Sequence, residues 1–362
     1  MKRVASIDIV RGAVMVLMAI DHVRVYAGVP AGGPSPDVFF TRWVTHFCAP
    51  AFVFLAGTAA FLAGRKMTAG ALSRFLLVRG IWLVLLELTV IRLMWTFNVQ
   101  VTHLLAGVIW VIGWSMIVMA LLVRLPLAVV AIFGVATIAL HNLVTYEGGG
   151  ALWQIVYAGG PIGDWDNGPV LFVLYSLIPW VGVMAAGYAF GAIVHRRRLM
   201  LAIGIGATIL FVVLRMLNGY GDPRPWKEGL SFLNTTKYPA SLDFLLMTLG
   251  PTIAAIPLLE NARGRVARWL EVFGRVPLFY YLLHIPLIHL AALVVSLIRT
   301  GAIEPWLFGN HPAMIGPAPD GYRWSLGLLY LVWLVCVVLL YFPSRWFAGL
   351  KARRTDGWLR YV

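Results

Sequence analysis

The sequence is divided into apolar runs long enough to cross a bilayer, and this restricts the fold more than any other feature. The runs fall near residues 6–26, 39–63, 76–96, 103–123, 127–145, 169–194, 199–217, 241–259, 272–297 and 324–342. About 20 predominantly apolar residues let a helix span the hydrocarbon core. A chain in lipid must also satisfy its own backbone N–H and C=O groups, which a helix does. The expected fold class is therefore all-α, a polytopic membrane helical bundle of about ten transmembrane helices in a single domain over residues 1–362. Composition agrees, with 60% hydrophobic and 12% charged residues, against about 25% charged in soluble domains.

The formal net charge is +14, but its distribution argues for a membrane surface and against nucleic acid. Nineteen of the 29 basic residues cluster in alternate loops and at the termini, including Lys2, Arg3, Arg65, Arg74, Arg196–Arg198, Arg263–Arg275 and Arg345–Arg360. The opposite loops 28–38 and 146–168 carry none. By the positive-inside rule, both termini are expected in the cytoplasm of a multi-pass protein of the bacterial inner membrane. No small-residue cleavage site follows a short apolar core, so the first run is expected to be a span, not a signal peptide. Cys48 and Cys336 both lie inside apolar runs, which argues against a disulfide framework or a Cys-based metal site. The outer loops are long and rich in Gly, Pro and Trp, as functional loops often are.

The first run holds Asp8, Arg11, Asp21, His22 and Arg24. Each ionisable group near a helix centre in a membrane costs on the order of 2.5–3.5 kcal/mol on insertion scales, so a mere anchor would avoid them. Arg11 and His22 are eleven positions apart, or three turns plus about 20°, and so share a face roughly 16 Å apart along the axis. Met15 and Met18 lie between them on that stripe and read as packing. An imidazole at the outer end of such a helix can take a proton from an acceptor or capture an acyl group.

An Arg followed after ten residues by His in the first membrane helix resembles the signature of type-3 membrane acyltransferases. The words Ser6-Ile-Asp-Ile-Val-Arg-Gly12 and Asp21-His22 are closer to a bacterial family that is similar to the catalytic domain of heparan-α-glucosaminide N-acetyltransferase. The stretches Pro50-Ala-Phe-Val-Phe-Leu-Ala-Gly57, Leu177-Ile-Pro-Trp-Val-Gly-Val-Met184, Phe232 to Leu242 and Phe273 to His284 carry the resemblance along most of the chain. The resemblance implies an acyltransferase with His22 as catalytic residue, Arg11 and Asp21 beside it, and acetyl-CoA as donor substrate, with no bound cofactor. One departure stands out. The lysosomal enzyme's proposed histidine lies in its first lumenal loop, and residues 28–38 contain no histidine.

Other polar residues in or near the spans are candidates for substrate binding. Arg42 and His46 are i and i+4 and share a face. Glu87 and Arg92 are about 140° apart, so each is expected to find a partner on another helix. Lys237 and Tyr238 lie in an outer segment, where the positive-inside rule does not explain a lysine, and His284 lies in the ninth run. Arg11 could simply pair with Asp8. His103, His141 and His289 read as hydrogen-bonded interfacial histidines, and His311 falls in an outer loop. No pair has the i,i+4 ligand spacing with a carboxylate that marks a metal helix, so no metal is expected. The basic clusters at 65–79, 196–198 and 263–275 would suit coenzyme A phosphates, though the positive-inside rule accounts for them equally.

These features lead to one expected function and one rival. The first is transfer of an acetyl or short acyl group from cytoplasmic acyl-CoA to a hydroxyl or amino group of an envelope glycan or glycolipid on the outer face. The rival is a transporter or flippase without covalent chemistry, since buried charges also mark transport pathways. The oligomeric state is open.

Overall fold

In a computed structural model, the protein is described over residues 4–32, 35–144, 148–164, 168–309, 318–354 and 357–360. Lys2, Arg3 and His311 lie outside the described residues. In chain order the helices are α1 (Ala5–Tyr26), α2 (Pro36–Trp43), α3 (Cys48–Gly64), α4 (Ala69–Leu86) and α5 (Arg92–Thr96). Next come α6 (Val108–Leu122), α7 (Leu127–Leu140), the short α8 (Ala151–Trp153), α9 (Trp180–Phe190) and α10 (Arg197–Leu217). The last are α11 (Leu242–Leu258), α12 (Arg265–Arg275), α13 (Pro277–Thr300), the short α14 (Trp306–Gly309) and α15 (Leu326–Arg353). A π-helical turn, Glu87–Ile91, joins α4 to α5.

Each of the ten apolar runs contains helix. Among the described residues, four stretches are long and apolar enough to cross a membrane: Pro36–Gly64, Arg197–Leu217, Pro277–Thr300 and Leu326–Arg353. Four more are shorter apolar helices, at Val108–Leu122, Leu127–Leu143, Trp180–Ile193 and Leu242–Leu258. α1 is 22 residues long but carries Asp8, Arg11, Asp21 and Arg24.

Three expected runs need correction. The run 103–123 begins as strand β1 (His103–Ala106), and the run 169–194 begins as strand β3 (Val170–Val173). With β2 (Gly160–Ile162) they form a small sheet of order β1-β3-β2, so the fold is not purely α. β1 runs parallel to β3 with His103 opposite Val170, and β2 runs antiparallel with Gly160 opposite Val173. A short apolar run has no periodicity that separates strand from helix. The run 272–297 is broken at Val276 (φ −133°, ψ 52°), between α12 and α13. Pro277 causes the break: it pushes the preceding residue out of the helical region and is at home as a first helical residue.

The chain forms two compact units, one of Met1–Cys48, Val90–Gln100 and Leu258–Val362, the other of Ala49–Thr89 and Val101–Pro257. In the first unit α1 packs against α12, α13 and α15. The α1–α12 crossing depends on two glycines. A Cβ on Gly12 would sit 1.8 Å from the Leu270 carbonyl oxygen, and one on Gly274 would sit 1.8 Å from that of Asp8. Side chains also bind the α1 backbone: Trp333 Nε1 donates to the Val16 carbonyl at 2.9 Å, and the Tyr322 hydroxyl to that of Tyr26 at 2.9 Å. The Tyr26 hydroxyl in turn donates to the Trp95 carbonyl at 2.5 Å.

In the second unit α4 packs on α6 and α7 on α9. Arg215, near the end of α10 and 2% exposed, organises the loop that follows it. Its guanidinium donates to the carbonyls of Phe232 (3.0 Å), Arg224 (2.7 Å) and Ser231 (2.9 Å). One buried side chain thus replaces the ladder bonds that an irregular segment lacks.

Candidate active site

The first unit brings His22 of α1 against His284 of α13. Nδ1 of His22 lies 2.6 Å from Nε2 of His284, and the rings stack with centroids 4.8 Å apart and planes at 24°. Trp95, itself 1% exposed, meets the His22 ring edge-on at 4.8 Å. His284 is fully buried, while His22 is half-buried. On the far side of its ring, Nδ1 of His284 approaches the carbonyl oxygens of Tyr281 (2.6 Å) and Tyr280 (3.2 Å), one helical turn back.

These contacts define the tautomers. Carbonyl oxygens only accept, so Nδ1 of His284 carries a proton. With His284 neutral, its Nε2 is a bare lone pair, and the proton between the rings belongs to Nδ1 of His22. His22 therefore presents an unprotonated Nε2. That nitrogen can remove a proton or attack a carbonyl carbon.

Asp21, the residue before His22, is the centre of an ion-pair cluster. Its two carboxylate oxygens accept from Arg24 Nε at 2.8 Å and Arg42 Nη1 at 3.0 Å. Arg24 also donates to the Val29 carbonyl at 2.7 Å, and Arg42 to Thr45 Oγ1 at 3.0 Å. A carboxylate that accepts from two guanidinium groups fixes both, because charge-assisted hydrogen bonds are the strong ones. His46 sits in the 3-10 turn Val44–Phe47 that follows α2, one turn beyond Arg42. Arg11 reaches both Asp8 (3.4 Å) and the Gly274 carbonyl (3.2 Å), so it is engaged at the α1–α12 crossing.

Glu87 and Arg92 hold backbone in different places. Glu87, 1% exposed and in the second unit, accepts from the N–H groups of Ile109 (2.8 Å) and Trp110 (3.1 Å). These are orphan donors in the first turn of α6, where a carboxylate also meets the positive end of the helix dipole. Arg92 belongs to the first unit and donates to the carbonyls of Asn98 (2.7 Å) and Gln100, in the segment after α5. Glu87 thus meets another helix, as expected, while these two bonds tie Arg92 to the segment that follows its own helix. Lys237 and Tyr238 belong to the second unit. Lys237 is 8% exposed, with Nζ over the rings of Tyr175 (5.9 Å) and Tyr238 (5.2 Å). His141 is buried, with Nε2 2.8 Å from the Ala240 carbonyl, as an interfacial histidine should be. Among the described residues no cluster of His, Cys, Asp and Glu could hold a metal ion.

Sequence reasoning placed His284 among substrate contacts and did not pair it with His22, and it missed Trp95. Neither pairing has a local signal, because both cross large sequence separations. A family model described as heparan-alpha-glucosaminide N-acetyltransferase, catalytic, matches residues 3–222, more than half of the 362. The chain belongs to this family. A search of curated proteins finds none that matches it. The stretch that matches the acetyltransferase family includes Arg11, Asp21, His22, Arg42, His46, Glu87 and Arg92, whereas Lys237, Tyr238 and His284 lie beyond it.

Proposed function

We propose that this protein is a membrane-embedded acetyltransferase that moves an acetyl group from acetyl-CoA to a hydroxyl or amino group of an envelope glycan or glycolipid. Cytoplasmic termini, about ten membrane crossings and residence in a bacterial inner membrane complete the proposal. The observation that carries it is the His22–His284 pair on a chain of the acetyltransferase family. Nε2 of His22 takes the proton of the acceptor hydroxyl or ammonium-derived amine. The acceptor oxygen or nitrogen forms a bond to the thioester carbonyl carbon, the C–S bond breaks, and the coenzyme A thiolate leaves and is protonated. In the two-step variant, Nε2 itself forms the bond to the acetyl carbon as the C–S bond breaks and the thiolate leaves; the acceptor then attacks that carbon, the C–N bond breaks, and the acceptor's proton passes to the freed Nε2. In both, positive charge develops on His22 while its Nδ1–H donates to His284, whose own N–H donates to the Tyr281 carbonyl. A chain of hydrogen bonds of this kind polarises cooperatively. Arg11 serves the donor side, and Arg42 and His46 orient the acceptor. Lys237 and Tyr238 make a carbohydrate contact within their own unit.

The rival transporter reading relies on buried charges. Glu87 and Arg215 are held by fixed backbone groups, which suits a structural role better than a moving one. Purified protein in detergent, given acetyl-CoA, should release free coenzyme A thiol slowly without acceptor. His22→Ala should lower transfer by about 10²–10⁴-fold, the usual worth of a general base. With the acetyl group isotope-labelled and acceptor withheld, label on His22 marks the two-step route and its absence the direct one. Equal turnover by wild type and the Ala variant would sink the assignment.

A further inference from the structure

Beyond this site, the first unit contains a basic pocket of about 530 Å³ between α12 and α15. Four guanidinium groups line it, those of Arg265, Arg268, Arg275 and Arg345. The one carboxylate in the lining, Glu271, pairs with Arg275, so the wall has a formal excess of three positive charges. The arginines of α12 fall at intervals of three and seven residues, which puts them on one helical face. Trp269 and Tyr341 line it with stacked rings, 4.6 Å apart at 19°.

The positive-inside rule explains arginines in such a segment, but not their convergence from two helices on one aromatic-walled cavity. Guanidinium forks arranged this way recognise phosphate oxygens. Two sources offer that phosphate, a lipid headgroup or a soluble phosphorylated molecule, and position favours the lipid. Arg275 lies two residues before Pro277, the first residue of one candidate span, and Arg345 lies in the last third of another. The pocket thus stands where two spans reach the membrane surface. Val266, Phe342 and Trp346, chain neighbours of lining residues, are exposed and apolar, as lipid-facing side chains of these helices would be. We propose that this pocket binds the phosphate headgroup of an anionic phospholipid, whose acyl chains remain in the bilayer.

The test uses the purified full chain in nanodiscs of phosphatidylglycerol mixed with phosphatidylcholine, with retained lipid identified by native mass spectrometry after extraction. Wild type should keep phosphatidylglycerol over phosphatidylcholine. Arg268→Gln with Arg345→Gln should lose about five-fold of that preference per arginine, since each basic residue near a charged surface contributes about that factor. Arg197→Gln with Arg198→Gln, which removes equal charge elsewhere, should keep it. Arg268→Lys with Arg345→Lys preserves the charge and guards against misfolding; loss of the bidentate fork should still reduce retention. Equal retention of the two lipids, or equal loss in the Arg197/Arg198 control, would overturn the site. Displacement of phosphatidylglycerol by adenosine 3′,5′-bisphosphate would overturn the lipid assignment and give the pocket to a soluble phosphate.

Discussion

His22 and His284 share one proton across 2.6 Å, and the carbonyl of Tyr281 behind His284 decides which ring owns it. The arrangement has the logic of a base held by an orienting group, with a neutral imidazole where a carboxylate often stands. It leaves Nε2 of His22 unprotonated and keeps Nδ1 occupied. α1 alone cannot produce this state, because the second ring comes from a helix 262 positions away.

His284 acts through His22, so it is a positioning residue. His284→Gln should lower kcat by one to two orders of magnitude, less than the loss of the base itself. KM for acetyl-CoA and the thermal midpoint should stay near wild type. Steady-state kinetics on the purified protein would decide, and a change confined to KM would move His284 back among the substrate contacts.

The Asp21 cluster should behave as a coupled unit. Asp21→Asn removes the charge that two arginines share and should cost about 1.5–3 kcal/mol, the range for hydrogen bonds to charged groups. Arg42→Gln should cost less when Asp21→Asn is already present. Thermal unfolding of both single variants and the double variant measures this coupling. Strict additivity would show that Asp21 does not hold Arg42.

Gly12 should tolerate no side chain. A Cβ there meets the Leu270 carbonyl oxygen at 1.8 Å, a backbone atom that cannot rotate away. Gly12→Ala should destabilise by at least the roughly 1–3 kcal/mol typical of overpacking, and it should shift α12. Gly206→Ala, inside α10 with nothing within 4 Å, should be neutral or stabilising. The two thermal midpoints compared give the answer, and a neutral Gly12→Ala would contradict the crossing.

Tyr322 predicts an alkaline limit. Burial pushes its hydroxyl up to about 12, ahead of the smaller opposing effects of the adjacent Trp324 side chain and the nearby Arg299 charge. In the unfolded chain a tyrosine titrates near 10. A raised value favours the protonated folded form, so this contribution is whole below pH 10 and is lost as pH rises through 12. Between pH 10 and 12 the thermal midpoint of wild type should fall more steeply than that of Tyr322→Phe. Parallel curves would remove Tyr322 from the clamp on α1.

The membrane class and the presence of helix in each of the ten apolar runs were legible in the amino-acid order, although several helix ends were not. They were legible because hydrophobicity, insertion cost and helical periodicity act over one or two dozen neighbouring residues. Arg11 and His22 were placed on one stripe by that periodicity alone, and His22 is indeed where the second imidazole meets α1. Only the tertiary structure decided what each polar group touches. The strands at 103–106 and 170–173 looked like parts of helices because a short apolar run carries no sign of its pairing. That Glu87 meets two N–H groups of the first turn of α6, and Arg92 the carbonyls of Asn98 and Gln100, has no signal in the local sequence. The tautomer of His22 depends on a ring from α13 and a carbonyl beyond it. Such partners are brought together by packing, as at Gly12 and Gly274, and packing follows from shapes that are far apart in the chain.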